Sequence, residues 1–195
     1  MGLKTFLYGN RRSNKVISYR DKLKGFNYTD KYQQEMEFLT AMMQIGNERI
    51  LDYGCGIGTF VEHLKKTTNG EIYGYDTRPY FDKQPFWFRT EFYFTLNKVF
   101  FMHSIAHIEN LEQRLEELKE FLEPRAEIFV FTPNKIWLDY MTNANYKADK
   151  TVVKHRTQGQ LIQLFTKLDY KIIQSGQFGD YNEGQNERIY LKCTI

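Results

Sequence analysis

The residues best able to do chemistry lie together in Asp52-Tyr53-Gly54-Cys55-Gly56-Ile57-Gly58, a carboxylate followed by three glycines at alternate positions. Glycines let a backbone turn sharply and let a ligand approach the main chain without meeting a Cβ. The spacing is G-x-G-x-G. The dinucleotide fingerprint G-x-G-x-x-G fails because position 59 is Thr, and no Gly-Lys-Ser/Thr follows as in a phosphate-binding loop. Asp52 beside the turn also disfavours a pyrophosphate. Two readings fit these residues: a cradle for a ligand, or a tight turn that binds nothing. A second acid, Asp76, stands eighteen residues after Gly58. Histidine is the natural general base near neutral pH. Of the four in the chain, His103 and His107 come first as catalytic candidates and His155 third; His63, beside Lys65 and Lys66, reads as a solvated surface residue. No cluster of Asp, Asn, Glu and His has metal-ligand spacing, so no metal is expected.

These residues need a frame, and the apolar pattern supplies one. Tyr32, Met36, Leu39 and Met43 recur at helical steps, with Thr29 or Asp30 as N-cap. Arg49 to Asp52 reads as a short strand ahead of the glycines, Phe60, Val61 and Leu64 as the helix after them, and Ile72 to Tyr75 as a second strand. Val99-Phe100-Phe101-Met102 and Ile128-Phe129-Val130-Phe131 are continuous apolar runs, as strands covered on both faces carry. Leu111, Leu115, Leu118 and Leu122 predict a helix stopped by Pro124, and Thr157 caps another holding Leu161, Leu164, Phe165 and Leu168. Tyr170 to Gln174 and Arg188 to Cys193 close the chain as strands. This alternation predicts an α/β fold. It is a Rossmann-like, doubly wound, mainly parallel sheet with helices on both faces and a ligand crevice at the carboxyl ends of the strands. Only 26 residues separate Asp76 from Met102, so the segment between the second and fourth strands is shortened.

With strand, acid, glycine turn, helix, strand and second acid in this order, Asp52 to Gly58 resembles the first motif of class I S-adenosylmethionine-dependent methyltransferases of the small-molecule type. The likeness continues through His103-Ser104-Ile105-Ala106-His107, where relatives carry Glu-His and this chain has Ala106-His107. Leu122-Glu123-Pro124-Arg125-Ala126 resembles Leu-x-Pro-Gly-Gly without its glycines, and Phe131-Thr132-Pro133-Asn134 and His155-Arg156-Thr157 also match. The resemblance runs from about Thr29 to Cys193. It implies one methyltransferase domain over residues 1–195, a seven-stranded sheet, an N-terminal helical lid region at 1–46 and an active-site cover segment at 133–157.

The resemblance further implies S-adenosylmethionine as cofactor, bound by Asp52, Gly54, Cys55, Gly56, Gly58, Asp76, Thr77, Met102 and His103. In the family the glycine loop passes under the methionine part and the first acid helps position its ammonium. The second acid holds the ribose hydroxyls, which a carboxylate does by accepting from both. Asp82 and Glu91 are candidates for the adenine amino group, and Phe86, Trp87 and Phe88 for an apolar wall. Methyl transfer from a sulfonium is an in-line displacement, so the protein aligns the partners and removes a proton where one is lost. His103, directly after an apolar strand, is the first choice of base. The acceptor falls to the segments that roof the crevice: Tyr28 and Tyr32 from the N-terminal stretch, and Asn134, Trp137, Tyr140 and His155 from the cover. Arg11, Arg12, Arg20 and Arg156 could meet phosphate or carboxylate groups, although solvated charge is the plainer reading.

Composition bounds the rivals. The 195 residues hold 27 Lys+Arg against 24 Asp+Glu, a net charge of +3, with 42% hydrophobic residues. A chain of this kind holds its core without disulfides or metal. Cys55 and Cys193 read as reduced thiols, and no run reaches about 18 consecutive apolar residues, so a cytoplasmic protein with no membrane span is expected. No basic stripe with interleaved aromatics marks a nucleic-acid surface. Met102-His103-Ser104-Ile105 lacks the Asn/Asp-Pro-Pro-Tyr/Phe loop of amino-directed DNA enzymes, and there is no Pro-Cys of the cytosine-C5 type. A small-molecule acceptor, sugar-linked or anionic, is therefore favoured over nucleic acid, with the chain a monomer or homodimer. An RNA-directed methyltransferase and a non-catalytic methyltransferase-like partner subunit are the alternatives.

Overall fold

A computed structural model describes residues 30–43, 46–76, 94–140, 151–182 and 185–195, and the chain divides into two compact units, Met1–Phe94 and Thr95–Ile195. In the first unit, helix α1 (Asp30–Ala41) buries Tyr32, Met36 and Leu39, which the helical period brings to one face. Thr29, the other N-cap candidate, lies outside the described residues. Strand β1 (Arg49–Tyr53) buries Ile50, Leu51 and Asp52 in succession. Helix α2 (Thr59–Thr67) buries Phe60, Val61 and Leu64. Strand β2 (Glu71–Tyr75) then lies parallel to β1, with Asp52 opposite Gly74 and Tyr53 opposite Tyr75. This is a βαβ unit with the glycine turn at its first corner.

His63 is not the solvated residue its lysine neighbours predict. It is half-buried on α2, stacked on Phe60 with ring centroids 6.1 Å apart. Its Nε2 lies 3.0 Å from Thr40 Oγ1. The Thr40 hydroxyl already donates to the Met36 carbonyl at 2.8 Å, so the ring N–H donates to Thr40 and fastens α1 to α2. Burial lowers the pKa of the ring. The step of three from Phe60 to His63, which shares a helix face, decides its exposure.

In the second unit, strands β3 (Leu96–Met102) and β4 (Leu122–Pro133) run parallel, joined through helix α3 (Leu111–Lys119). Val99 faces Ile128 and Met102 faces Phe131 in register, and Phe100 stacks on Phe129 at 4.6 Å. Helices α4 (Lys135–Tyr140) and α5 (Gln158–Lys167) follow. Strands β5 (Lys171–Asn182) and β6 (Gln185–Thr194) form an antiparallel hairpin whose β6 also pairs antiparallel with β4. The order within this unit is β3-β4-β6-β5. Thr157 opens α5 with the reciprocal cap its position predicts: its hydroxyl accepts from Gln160 N–H, and the Gln160 side chain accepts from Thr157 N–H. The Tyr170 hydroxyl donates to the Leu115 carbonyl at 2.7 Å, tying the chain after α5 to α3.

The α/β class and its βαβ units are as the alternation predicts, with three corrections. Six strands, not seven, are present among the described residues, and the shortened segment expected between the second and fourth strands falls largely at 77–93, outside them. The leucine spacing predicts a helix through Leu122, yet α3 stops at Lys119 and Leu122 opens β4. Leu96 N–H donates to the Phe121 carbonyl at 2.7 Å and Leu96 pairs with Leu122, so a strand partner outweighs another helical turn. Pro124 then sits inside β4, and Arg125 adopts a left-handed φ of 68° where the related motif has glycine. The last two strands are longer than Tyr170–Gln174 and Arg188–Cys193, because main-chain pairing extends them through a polar stretch with little apolar alternation. Among the described residues, no helix is long and apolar enough to cross a membrane.

Candidate active site

β1 delivers Asp52 into the core at 1% exposure. Beyond it the chain turns through Gly54, Gly56 and Gly58 at φ 80°, 55° and 85°, a left-handed conformation that costs other L-residues about 1–2 kcal/mol each. The turn is stitched to β2. Gly54 and Cys55 N–H both donate to the Tyr75 carbonyl, at 2.7 and 3.0 Å, and Gly56 N–H donates to Asp76 Oδ2 at 2.9 Å. The two acids read from the sequence therefore flank a single turn. Asp52 Oδ1 is buried and meets no hydrogen-bond donor among the described residues. Burial, and then the charge of Asp76, holds the Asp52 carboxyl well above the usual carboxylate range. Burial, then Asp52 and Asp76, likewise raises the Cys55 thiol. A buried carboxylate without a partner is costly, and a donor or cation arriving from outside relieves it.

Helix α1 adds two more groups. Tyr32 and Glu35 are buried at 6% and 1% exposure. Burial, then the charges of Asp52, Glu35 and Cys55, raises the Tyr32 hydroxyl well above the usual phenol range, so α1 stands within the field of the same acids. Glu35 is the residue that sequence reasoning missed. Its signal was present: it lies three residues after Tyr32 and four before Leu39, on the face that a soluble helix keeps apolar.

In the second unit β3 ends at buried Met102, and His103 follows at φ 58°, left-handed despite its side chain. His103 N–H donates to the Phe131 carbonyl at 2.8 Å, and its ring meets Phe131 edge-on at 5.5 Å. His107 Nδ1 lies 2.8 Å from Thr151 Oγ1. The Ala106 carbonyl accepts from both Val153 and Lys154 N–H, at 2.9 and 3.1 Å. The returning limb of the cover segment is thereby fixed on the 3₁₀ turn Ile105–His107, and half-buried His155 belongs to that limb. Arg156 is half-buried and donates from Nη1 to the Lys154 carbonyl at 3.3 Å.

Asn134 is buried with both ends of its amide engaged: Nδ2 donates to the Asn186 carbonyl at 3.0 Å, and Oδ1 accepts from Ile136 N–H at 3.1 Å. These bonds start α4 and hold it to β6. Trp137 and Tyr140 lie on α4, their side chains outside what is described. Tyr28, Thr77, Asp82, Phe86, Trp87, Phe88, Glu91, Arg11, Arg12 and Arg20 lie outside the described residues. The structure thus gathers Asp52, Gly54, Cys55, Gly56, Gly58 and Asp76 in the first unit. In the second it places Met102 and His103 at the end of β3, with His107 in the turn that follows.

A family model described as a methyltransferase domain matches residues 20–175. By sequence, no curated protein matches the chain. Among solved structures the chain is similar to the methyltransferase complexed with the Haloferax volcanii Trm112 methyltransferase activator, at 12% identity and TM-score 0.72 over 94% of this chain and 99% of that one. It is similar to a SAM-dependent methyltransferase from Aquifex aeolicus, at 12% identity and TM-score 0.68 over 90% and 98%. It is also similar to magnesium protoporphyrin IX methyltransferase from Synechocystis PCC 6803 with bound SAH, at 15% identity and TM-score 0.60 over 96% and 90%. At these identities the likeness is one of fold.

Proposed function

The chain belongs to the methyltransferase domain family and is an S-adenosylmethionine-dependent methyltransferase, and from that premise we propose that it methylates a small-molecule acceptor. When bound, the cofactor supplies an electrophilic methyl group on a sulfonium. The chain's own residues seat and orient the partners. Asp52, whose buried Oδ1 meets no donor among the described residues, suits a cationic ammonium. The glycine turn offers main chain without side chains, and Asp76, already holding the turn through Gly56 N–H, accepts from the ribose hydroxyls. By the family resemblance, Cys55 and Thr77, and Met102 and His103 of the second unit, are assigned to the cofactor as well. His103 takes the proton released by the acceptor, with His107 as the alternative base. Tyr28, Trp137, Tyr140 and His155 are assigned to the acceptor; Asn134 shapes its surroundings by starting α4.

The observation that carries the small-acceptor reading is the anchored cover limb. Ala106 holds it by two main-chain bonds and His107 meets Thr151, which fixes the limb assigned to the acceptor side, and a fixed cover favours a compact acceptor over a long polymer. Incubating the purified chain with methyl-labelled S-adenosylmethionine and either a metabolite extract or total RNA tests it. Label in a low-molecular-mass product is the expected result, and label in RNA alone overturns it. A second reading, action together with an activator protein, draws on the likeness to the Trm112-bound methyltransferase. Full turnover by the chain alone would remove that reading.

A further inference from the structure

Main-chain bonds from two strand ends hold the returning limb of the cover segment. The Ala106 carbonyl, just past the end of β3, accepts from Val153 and Lys154 N–H at 2.9 and 3.1 Å. Lys135 N–H, just past the end of β4, donates to the Arg156 carbonyl at 3.3 Å. Strands β3 and β4 are parallel neighbours. His155, between Lys154 and Arg156, is therefore held astride their carboxyl ends, where open α/β sheets take their ligands. Apolar burial does little of the holding, since Val153 is 53% exposed and Lys154 is exposed as well. The limb depends on its polar bonds, and a segment held that way opens locally at low free energy. Its far end is secured by the reciprocal cap of Thr157 and Gln160 at the start of α5. At its near end Thr151 Oγ1 meets His107 Nδ1 at 2.8 Å. A hydroxyl both donates and accepts, so it satisfies Nδ1 whether or not that nitrogen carries a proton.

We infer that Thr151 and His107 are positioning residues: their bond clasps the limb to the turn after β3 and so sets His155 against the acceptor. The inference deepens the small-acceptor reading and rests on its assignment of His155 to the acceptor. It gives Thr151 a role and moves His107 from alternative base to clasp, which leaves the proton to His103. The clasp matters because the limb carries few other ties. With the far end built into a helix and the middle held by one carbonyl at Ala106, the near end decides how closely the limb follows the turn. A limb released there carries His155 with it.

Thr151→Val removes the hydroxyl and keeps the shape, Thr151→Ser keeps the hydroxyl, and His107→Asn removes the imidazole. Each is read in the full chain by hydrogen exchange at the Val153 and Lys154 amides. Each is also read by the product formed from methyl-labelled S-adenosylmethionine and the metabolite extract. Thr151→Val should speed exchange at both amides and lower product formation by about threefold to tenfold, the range of one lost hydrogen bond. Thr151→Ser should recover most of both. His107→Asn should cost no more than Thr151→Val, and the double variant little beyond either, because the two residues make one contact. Affinity of Thr151→Val for S-adenosylhomocysteine should stay within about twofold, which puts the effect on the acceptor side. Unchanged exchange in Thr151→Val, or faster exchange with undiminished product, would overturn the inference. A loss of about a hundredfold or more in His107→Asn, well beyond that of Thr151→Val, would make the ring the base and overturn it too. A wild-type chain that yields no small methylated product would instead remove the small-acceptor reading and with it the role of His155, while the exchange data still decide the clasp.

Discussion

The two units answer the same backbone demand with opposite residues. Among the described residues of the first, the left-handed positions are all glycine: Gly54, Gly56 and Gly58 at φ 80°, 55° and 85°. In the second, beside Gly179 at 90°, the same region is occupied by His103, Asn110, Arg125 and Asp169 at 58°, 51°, 68° and 59°. Asn110 stands before α3 and Asp169 just after α5, where short polar side chains adopt this conformation at low cost. Arg125 lies within the register break of β4, between Leu122 and Glu127. His103 caps no helix, and its strain of about 1–3 kcal/mol must be offset by the rest of the fold. The contrast fits the proposed cofactor seat. A turn that must be approached through its main chain discards side chains, whereas a turn that presents a side chain keeps it and tolerates the strain.

The sharpest way to break this contrast is His103→Gly. The backbone strain goes, stability stays within about 1 kcal/mol, and kcat falls by about a hundredfold or more if the ring is the base. Steady-state turnover alongside calorimetry with S-adenosylhomocysteine reads the two separately, and unchanged kcat would reduce His103 to an ordinary turn residue. Next in size is Asp76→Asn. The side chain keeps its shape but loses the charge that meets Gly56 N–H, and affinity for S-adenosylhomocysteine should fall by about tenfold.

A third test uses pH. The raised carboxyl of Asp52 titrates above its unfolded value of about 3.9. From about pH 4 upward the unfolded chain therefore ionises first, and native stability declines until the folded carboxyl also ionises. Asp52→Asn should accordingly melt higher than the parent, without ligand, at pH 8. That gain should fade as the pH drops to about 4. An equal gain at both pH values would show that Asp52 is not held against its ionisation. The smallest effect is expected from Arg125→Gly, which relieves an exposed left-handed residue. It should raise stability by about 0.5–1 kcal/mol, roughly 2 °C in Tm, and leave kcat alone. A lowered Tm would mean that the Arg125 side chain itself holds β4.

Much of the fold was legible in the chain because its signals are local. The paired runs Val99–Met102 and Ile128–Phe131, the Thr157 cap and the strand-to-helix corner at Gly54–Gly58 each follow from neighbouring residues alone. The departures share a cause. His63 has lysine neighbours yet is held by Thr40, Leu122 is drawn into β4 by Leu96, and the polar part of β5 is held by β6. In each case a partner distant in sequence decided the outcome. The site divides in the same way. Asp52, the glycines, Asp76 and the place of Glu35 on the apolar face of α1 are a matter of spacing, whereas the bond from Gly56 to Asp76 is not.

By itself the sequence determined the order of strands and helices, the need for glycine at one corner and the presence of two acids beside it, since these depend on periodicity and on backbone sterics within a few residues. Only the tertiary structure decided which polar groups are removed from water and which charges share a field. Burial and electrostatics depend on distance in space, and chain packing sets that distance.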